Sequence, residues 1–402
     1  MISDFTGIEV FVLGVKPPKY VRQAMILLQG RGYPVFLVGN CVRELLTDTR
    51  PQLWELCTAA APEQILELFP DSVVRRQTVT VTVDSHQLPV FSLAQSLPED
   101  SRTDMARFVG TLTAELGKQD FTINAIAISY DGLIADPFGG VEDIRRQLIR
   151  CIGSPEERFA EQPQNMFRAL LYSARLGFTI DLFTMGGIRT RSGLATMLPA
   201  EYVRDEVEKL LLSRAPETVF SLVELGLLSR YLAPGLPDPT LLRRLSRLPR
   251  KAQYRWAGLC RVLKLSGCID LEERFLGTLH LDHRTIRMAV DSGLMQESAL
   301  PQTDLSRKRW LRTYGVETVR CALACRDAFT GSHESAELRR ILKSGECFSL
   351  KHLAVSGDDL LALGLRGRAL GEMLDFLLEY VMEFPDNNRR ELLLSLAAGS
   401  EE

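Results

Sequence analysis

Apolar and polar positions change rhythm near residue 150. Before it, short runs with a period of two stand out. Val35 to Val38 is one, and the alternation TVTVTV from Thr78 to Val83 is the clearest. Alternate side chains of a strand share a face, so such runs predict strands, here interleaved with helical stretches. After it, apolar positions recur at helical spacing over Phe167 to Leu176, Val203 to Leu212 and Val219 to Leu228. Breaks fall at Pro216, in Leu232 to Pro239 with its three prolines, at Gly267 and around Pro301. The pattern predicts an α+β chain: an N-terminal part with a small mixed sheet over residues 1–150, then helical segments over 151–230, 231–345 and 346–402. No internal period marks a solenoid.

Val35 to Val38 runs into the turn Gly39-Asn40 and then into a helical stretch from Cys41 to Thr47. A strand, a glycine turn and a helix start offer backbone N–H groups to a phosphate. Arg43 on the first helical turn could pair with a triphosphate. Taken alone, the segment reads more readily as a plain turn with a solvated arginine, because single glycine turns are weak signals.

Bulk properties narrow the class. The 402 residues call for more than one core, and 46% apolar with 25% charged residues is ordinary for a globular chain. No apolar run is long enough to span a bilayer. The opening MISDFTGIEVFV has no basic segment ahead of its apolar residues, so no signal peptide is expected and the chain reads as cytoplasmic. The eight cysteines are scattered without a CxxC, and Cys321 and Cys325, four apart, have no nearby set of further ligands. They read as buried apolar side chains, and His280 and His283 as helix-surface residues. Ser400-Glu401-Glu402 reads as a frayed end.

Net charge is −3, yet positive charge is concentrated. Arg243, Arg244, Arg247, Arg250, Lys251, Arg255, Arg261 and Lys264 follow one another without an acid, with Tyr254 and Trp256 between them. Such a stripe suits phosphate contact with aromatic stacking; it equally suits a solvated helix face. Arg307-Lys308-Arg309-Trp310-Leu311-Arg312 is a smaller cluster.

Blocks along the whole chain resemble the class II CCA-adding tRNA nucleotidyltransferase and bacterial poly(A) polymerase family. They are VFLVGNCVRELL, APEQILELFP, TVTVTV, QDFTINAIA and DPFGGVEDI in the first part; SPEERFAEQPQNMFRALLYSARLGF and EYVRDEVEKLLLS follow; LAVSGDDLLALGLRGRALGEML lies near the end. The resemblance implies a polymerase-β-type head, a helical neck, body and tail, and tRNA or tRNA-like RNA as partner. It also moves the basic stripe toward RNA binding, because body and tail grip tRNA in this family. Members carry a DxD on the second head strand, whose carboxylates hold two Mg²⁺ ions.

The chain departs from that pattern where the chemistry lies. The DxD positions are Leu53 and Glu55, and a third acid is missing near Val90, in a segment (Leu88 to Gln95) with no acid at all. Leucine cannot ligate magnesium, which requires hard oxygen ligands. The neck motif EDxxR, which selects the base, reads EQPQN, placing Gln162 and Asn165 where the family has Asp and Arg; Arg168 is kept and Leu171 replaces a further arginine. The glycine pair is Gly39-Asn40, and an arginine pair is Lys118-Gln119. By contrast Asp120, Phe121, Asn124, Asp136, Pro137, Gly139 and Gly140 stand as in the family.

Nucleotide contact is therefore expected at Gly39, Asn40, Arg43, Lys118, Asp120, Asn124, Gln162, Asn165 and Arg168. RNA contact is expected from Arg243 to Arg261. Selective loss of the metal and base positions implies a fold kept for something other than nucleotide transfer. Three readings follow. The first is a paralogue without catalysis that binds structured RNA and needs no cofactor. The second is an active enzyme using Mg²⁺ and ATP or CTP, with Glu55 helped by Asp84, Glu99, Asp100 or Asp104. The third is a protein–protein scaffold.

Overall fold

The computed structural model describes residues 17–333 and 335–399. The opening segment and Ser400-Glu401-Glu402, read above for a leader and a frayed end, lie outside them. The chain forms two compact units. One runs to Leu198 and includes Leu225–Leu227; the other comprises Pro199–Glu224 and the chain from Leu228 onward.

The first unit holds a mixed sheet of seven strands: β1 (Val35–Leu37), β2 (Leu56–Thr58), β3 (Val73–Arg75), β4 (Thr78–Val83), β5 (His86–Ser92), β6 (Ala127–Ser129) and β7 (Ile134–Ala135). Their order is β3-β4-β5-β2-β1-β6-β7. Every neighbouring pair is antiparallel except β2 and β5, which run parallel with Leu56 opposite Val90. The TVTVTV alternation forms β4: Val79 and Val81 are fully buried while Thr82 is exposed. Asp84 and Ser85, both at positive φ (48° and 64°), make the two-residue turn into β5. A turn of this hand matches the twist of the strands it joins.

The helix Met105–Leu116 is capped by Asp104, whose carboxylate accepts the N–H groups of Ala106 and Arg107. Its Phe108, Leu112 and Leu116 share a core with Phe36 of β1, Cys57 of β2 and Leu93. Behind this core two turns meet. Asp136 accepts hydrogen bonds from the N–H groups of Gly140 (2.7 Å) and Val141 (2.9 Å), and Gly139 takes a left-handed φ of 73°. These start the helix Gly140–Arg145 directly against the DFTIN turn. The Asp143 carboxylate accepts from the Thr122 hydroxyl and from Arg150 Nε.

The helices Pro155–Glu161, Gln164–Leu176 and Leu182–Arg191 complete this unit. Gln164–Leu176 begins ahead of the predicted Phe167 and ends on Gly177 at φ 74°. One strand pair was not expected in this helical part: β8 (Leu148–Ile149) pairs in parallel with β9 (Thr179–Ile180). Pairs this short carry too little alternation to read from sequence.

The second unit is helical among its described residues. It includes Ala200–Leu211, Ala252–Leu265, Val316–Thr330 and Gly367–Glu383, while the predicted helix from Val219 stops at Glu224. Leu311, Ile341, Leu360, Leu377, Val381 and Leu393 form one of its cores. All eight cysteines are buried and free. His280 lies in a turn at φ 56°, with its ring 2.7 Å from the Glu201 carboxylate, rather than on a helix. No helix among the described residues is long and apolar enough to cross a membrane.

A Cβ on Gly140 would fall 2.1 Å from the Thr122 carbonyl oxygen, which belongs to backbone. Gly140→Ala is expected to destabilise the protein by about 1–3 kcal/mol through overpacking. Urea unfolding of the variant reads the change, and a midpoint equal to wild type would mean that the two turns yield freely.

Candidate functional site

β1 ends at Leu37 and the chain turns at Gly39 (φ 75°) into the helix Asn40–Leu46. The space where a Cβ would stand is taken: Oε2 of Glu55 lies 2.7 Å from that point. The carbonyl of Glu55 accepts from Val38 N at 3.1 Å. Leu53 and Glu55 were expected on the second strand. They precede it, since β2 begins at Leu56, opposite Leu37, and β1 offers no partner once the chain turns at Gly39. Trp54 between them is buried, whereas Leu53 is 76% exposed.

Glu55 lines a cavity of about 300 Å³ together with Val38, Cys57, Pro89, Phe91 and Glu115. The register corrects the position of the missing third acid. Val90 stands opposite Leu56, is fully buried and does not line the cavity. Pro89 and Phe91 share the face of Glu55 and Cys57, one residue from the expected site. Glu55 itself is exposed, and partial desolvation by its surroundings raises its carboxyl from the ordinary value.

The acids expected to help Glu55 are engaged elsewhere. Asp84 pairs with Lys19 at 3.5 Å, Glu99 with Arg102 at 3.9 Å, Asp100 accepts from Ser101, and Asp104 is a helix cap. The acid that does line the cavity is Glu115, which sequence reasoning passed over. Its only signal was a place one turn before the QDFTIN block. No group of three or more His, Cys, Asp or Glu able to hold a metal occurs among the described residues.

The nucleotide-site candidates are brought together, though in altered roles. Arg43 is 6% exposed. Its Nη1 donates to Asn40 Oδ1 (2.9 Å) and to Asn124 Oδ1, and its guanidinium lies 4.7 Å from the Tyr172 ring centroid. It is thus a braced internal cation and not the open phosphate ligand expected on the helix surface; only its Nε is without a partner. Asn124 Nδ2 donates to Asp120 Oδ1 at 2.7 Å, and Arg168 stands 3.5 Å from Asp120 Oδ2. Arg43, Asn124, Asp120 and Arg168 form one polar chain.

Gln162 follows the helix Pro155–Glu161, and its Oε1 accepts from Asn165 Nδ2 at 3.3 Å. Asn165 Oδ1 is buried without a partner among the described residues. Lys118 is turned to Glu115, with Nζ 2.6 Å from its carboxylate. Two neighbours were missed: Tyr172, also edge-on to Phe121 at 5.9 Å, and Arg158, which donates to the carbonyls of Lys118 and Gln119. Both lie in the SPEERF…LLYSARL block, but only the fold shows what they touch.

The basic stripe divides. Arg255, expected to reach RNA, is 1% exposed and donates to the carbonyls of Leu211, Ser246, Leu248 and Pro249. Trp256 is fully buried, with its indole N–H on Glu208, and so cannot stack on a base. Arg261 pairs with Glu297, Lys264 with Glu272 and Glu297, and Lys251 with Glu317. Arg244 donates to the Phe329 carbonyl. Arg243, Arg247 and Arg250 remain exposed, with Arg247 Nη1 donating to the Ala328 carbonyl at 3.4 Å. The second cluster is neutralised: Arg307 pairs with Asp304, Arg309 and Arg312 with Glu379, and the buried Lys308 with Glu346.

Asn124 joins two charges, one on each side of its amide. Asn124→Ala would leave the buried Arg43 and Asp120 each short of a partner, at about 1–3 kcal/mol. Denaturant unfolding is expected to show a loss in that range, and an unchanged midpoint would mean that water replaces the amide without cost.

Comparison with known proteins supplies the family. Residues 35–150 match the poly A polymerase head domain. The CCA-adding enzyme of Geobacillus sp. (strain WCH70) is 31% identical over 353 residues, covering 83% of this chain and 84% of that protein. That of Geobacillus kaustophilus (strain HTA426) is 31% identical over 396 residues, 94% of this chain and 96% of its own. Among solved structures, the Bacillus stearothermophilus CCA-adding enzyme in complex with CTP aligns with a TM-score of 0.77 at 27% identity, covering 96% of this chain and 98% of that one. The Thermotoga maritima CCA-adding enzyme complexed with tRNA aligns with a TM-score of 0.69, covering 96% and 97%; at 19% identity it shows a shared fold. The α+β fold of mixed-sheet head and helical remainder is the fold of these structures, and the chain belongs to the CCA-adding tRNA nucleotidyltransferase family.

Proposed function

We propose that this chain is a non-catalytic member of its family that binds tRNA or another structured RNA. It would be organised as a head over 1–150, a neck over 151–230, a body over 231–345 and a tail over 346–402. The observation that carries the reading is the residue set beside Gly39. Where relatives are expected to have three acids, this chain has Leu53 and Glu55 ahead of the second strand and Pro89 and Phe91 on the face of Glu55. Magnesium takes hard oxygen ligands in near-octahedral array, and these residues do not fit it.

The retained polar chain from Arg43 to Arg168 supports a kept frame, since its members brace one another as well as any ligand. The Thermotoga maritima relative was solved with tRNA, which supplies the partner class for this proposal. A second reading, an active enzyme with an unusual site, draws on Glu115, which shares the cavity with Glu55. Against it, Glu115 is paired to Lys118.

Purified protein, tRNA lacking its 3′ CCA, labelled CTP or ATP, and Mg²⁺ or Mn²⁺ test the first part. No nucleotide addition is expected. Metal-dependent extension that disappears in Glu55→Ala would establish the second reading instead.

RNA binding tests the other part. Each neutralised phosphate contributes about 0.7–0.9 log units of affinity per log unit of salt. Replacing the exposed Arg243, Arg247 and Arg250 with glutamate is expected to weaken tRNA binding and flatten its salt dependence. Equal affinity and slope in wild type and variant would remove this surface from the proposal.

A further inference from the structure

The cavity beside Gly39 has a chemistry of its own. Val38, Pro89, Phe91, Leu112 and Leu116 give it an apolar wall. Two carboxylates, Glu55 and Glu115, belong to the same lining. Glu115 already has Lys118 at 2.6 Å. The Glu55 side chain has no hydrogen-bond or ion-pair partner among the described residues, and desolvation disfavours its charge.

The kinds of ligand can be weighed against that lining. A nucleotide triphosphate would bring negative charge to two carboxylates. A divalent metal would find one unpaired carboxylate, with only the neutral oxygens of Thr78 and Gln119 besides among leucine, proline and phenylalanine side chains, a poor set for a hard dication. An organic ammonium needs one good acceptor, and a charge-assisted hydrogen bond to the unpaired Glu55 carboxylate is among the stronger ones available. Its apolar body would bury against the opposite wall, and the face of an aromatic ring attracts a cation. At about 300 Å³ the space suits a small molecule, at the lower end of the usual range for such sites.

We propose that this cavity binds a small organic monocation, a primary ammonium on an apolar body, with Glu55 as counter-ion and Phe91, Leu112 and Leu116 against the body. The proposal rests on the reading that the metal site is lost, and it gives that position a ligand class in place of metal and triphosphate. Gly39 takes part by lacking a side chain: a Cβ there would displace the Glu55 carboxylate from its place.

Calorimetric titration of the full chain with benzylammonium chloride tests it, with benzyl alcohol as the neutral counterpart of similar shape. Saturable one-site binding is expected, with benzyl alcohol weaker by about tenfold or more, the loss of one charge-assisted contact. Glu55→Gln is expected to weaken benzylammonium binding by a similar factor while the melting temperature holds. The alcohol comparison needs no variant and stands whatever the fate of Glu55→Gln. Absence of saturable binding, equal binding of the alcohol, or displacement of benzylammonium by Mg²⁺ would each overturn the proposal. Failure of binding together with absent nucleotide addition removes this inference alone. Nucleotide addition by wild type removes the proposed function, and with it the premise of this one.

Discussion

Backbone meets backbone at Gly140 and Thr122, at a separation that admits no side chain. Much of the first unit depends on that approach. The Asp136 carboxylate holds the N–H groups that start the Gly140–Arg145 helix, and Asp143 from that helix holds Thr122 and Arg150. The turn so fixed carries Asp120 and Asn124. Through them it sets Arg43 on one side and Arg168 on the other. Buried polar groups of this kind are costly unless satisfied, so the members of the chain constrain one another. The DFTIN and DPFGG segments thus have a structural role in this unit.

The Gly39 corner works differently. Gly39 sits at a φ of 75°, which residues with a Cβ rarely adopt, and a Cβ there would displace the end of the Glu55 side chain. Around it the parallel pairing of β2 and β5 places Pro89 and Phe91 on the face where further acids would be needed. The corner therefore sets an exposed, unpaired carboxylate among apolar side chains and the polar Thr78 and Gln119, while a separate set of contacts holds the frame.

Charge in the second unit illustrates the limit of linear patterns. Eight basic residues without an acid look like one continuous surface, yet the helix Ala252–Leu265 turns Arg255 and Trp256 inward. The guanidinium there gathers carbonyls from Leu211 and from the turn ahead of the helix, acting as a cross-link between segments. Acids distant in sequence, Glu272, Glu297 and Glu317, meet the remaining members. What stays in solvent is the short set Arg243, Arg247 and Arg250.

Local chemistry alone determined the outline. Alternation placed β4, helical spacing placed Gln164–Leu176 to within a few residues, and the glycine after Val38 marked the corner between strand and helix. That position 53 is a leucine and that Leu88 to Gln95 holds no acid was likewise plain, because residue identity is read directly. Tertiary structure decided the rest. Register between β2 and β5 put Pro89 and Phe91, and not Val90, on the face of Glu55, a one-residue matter that reverses the face. Only the packing of the Met105–Leu116 helix brought Glu115 beside Glu55. Burial made Arg43 an internal brace and Arg255 a structural cross-link. In each case the deciding partner lies on another segment, and spacing along a single segment carries no information about what lies across from it.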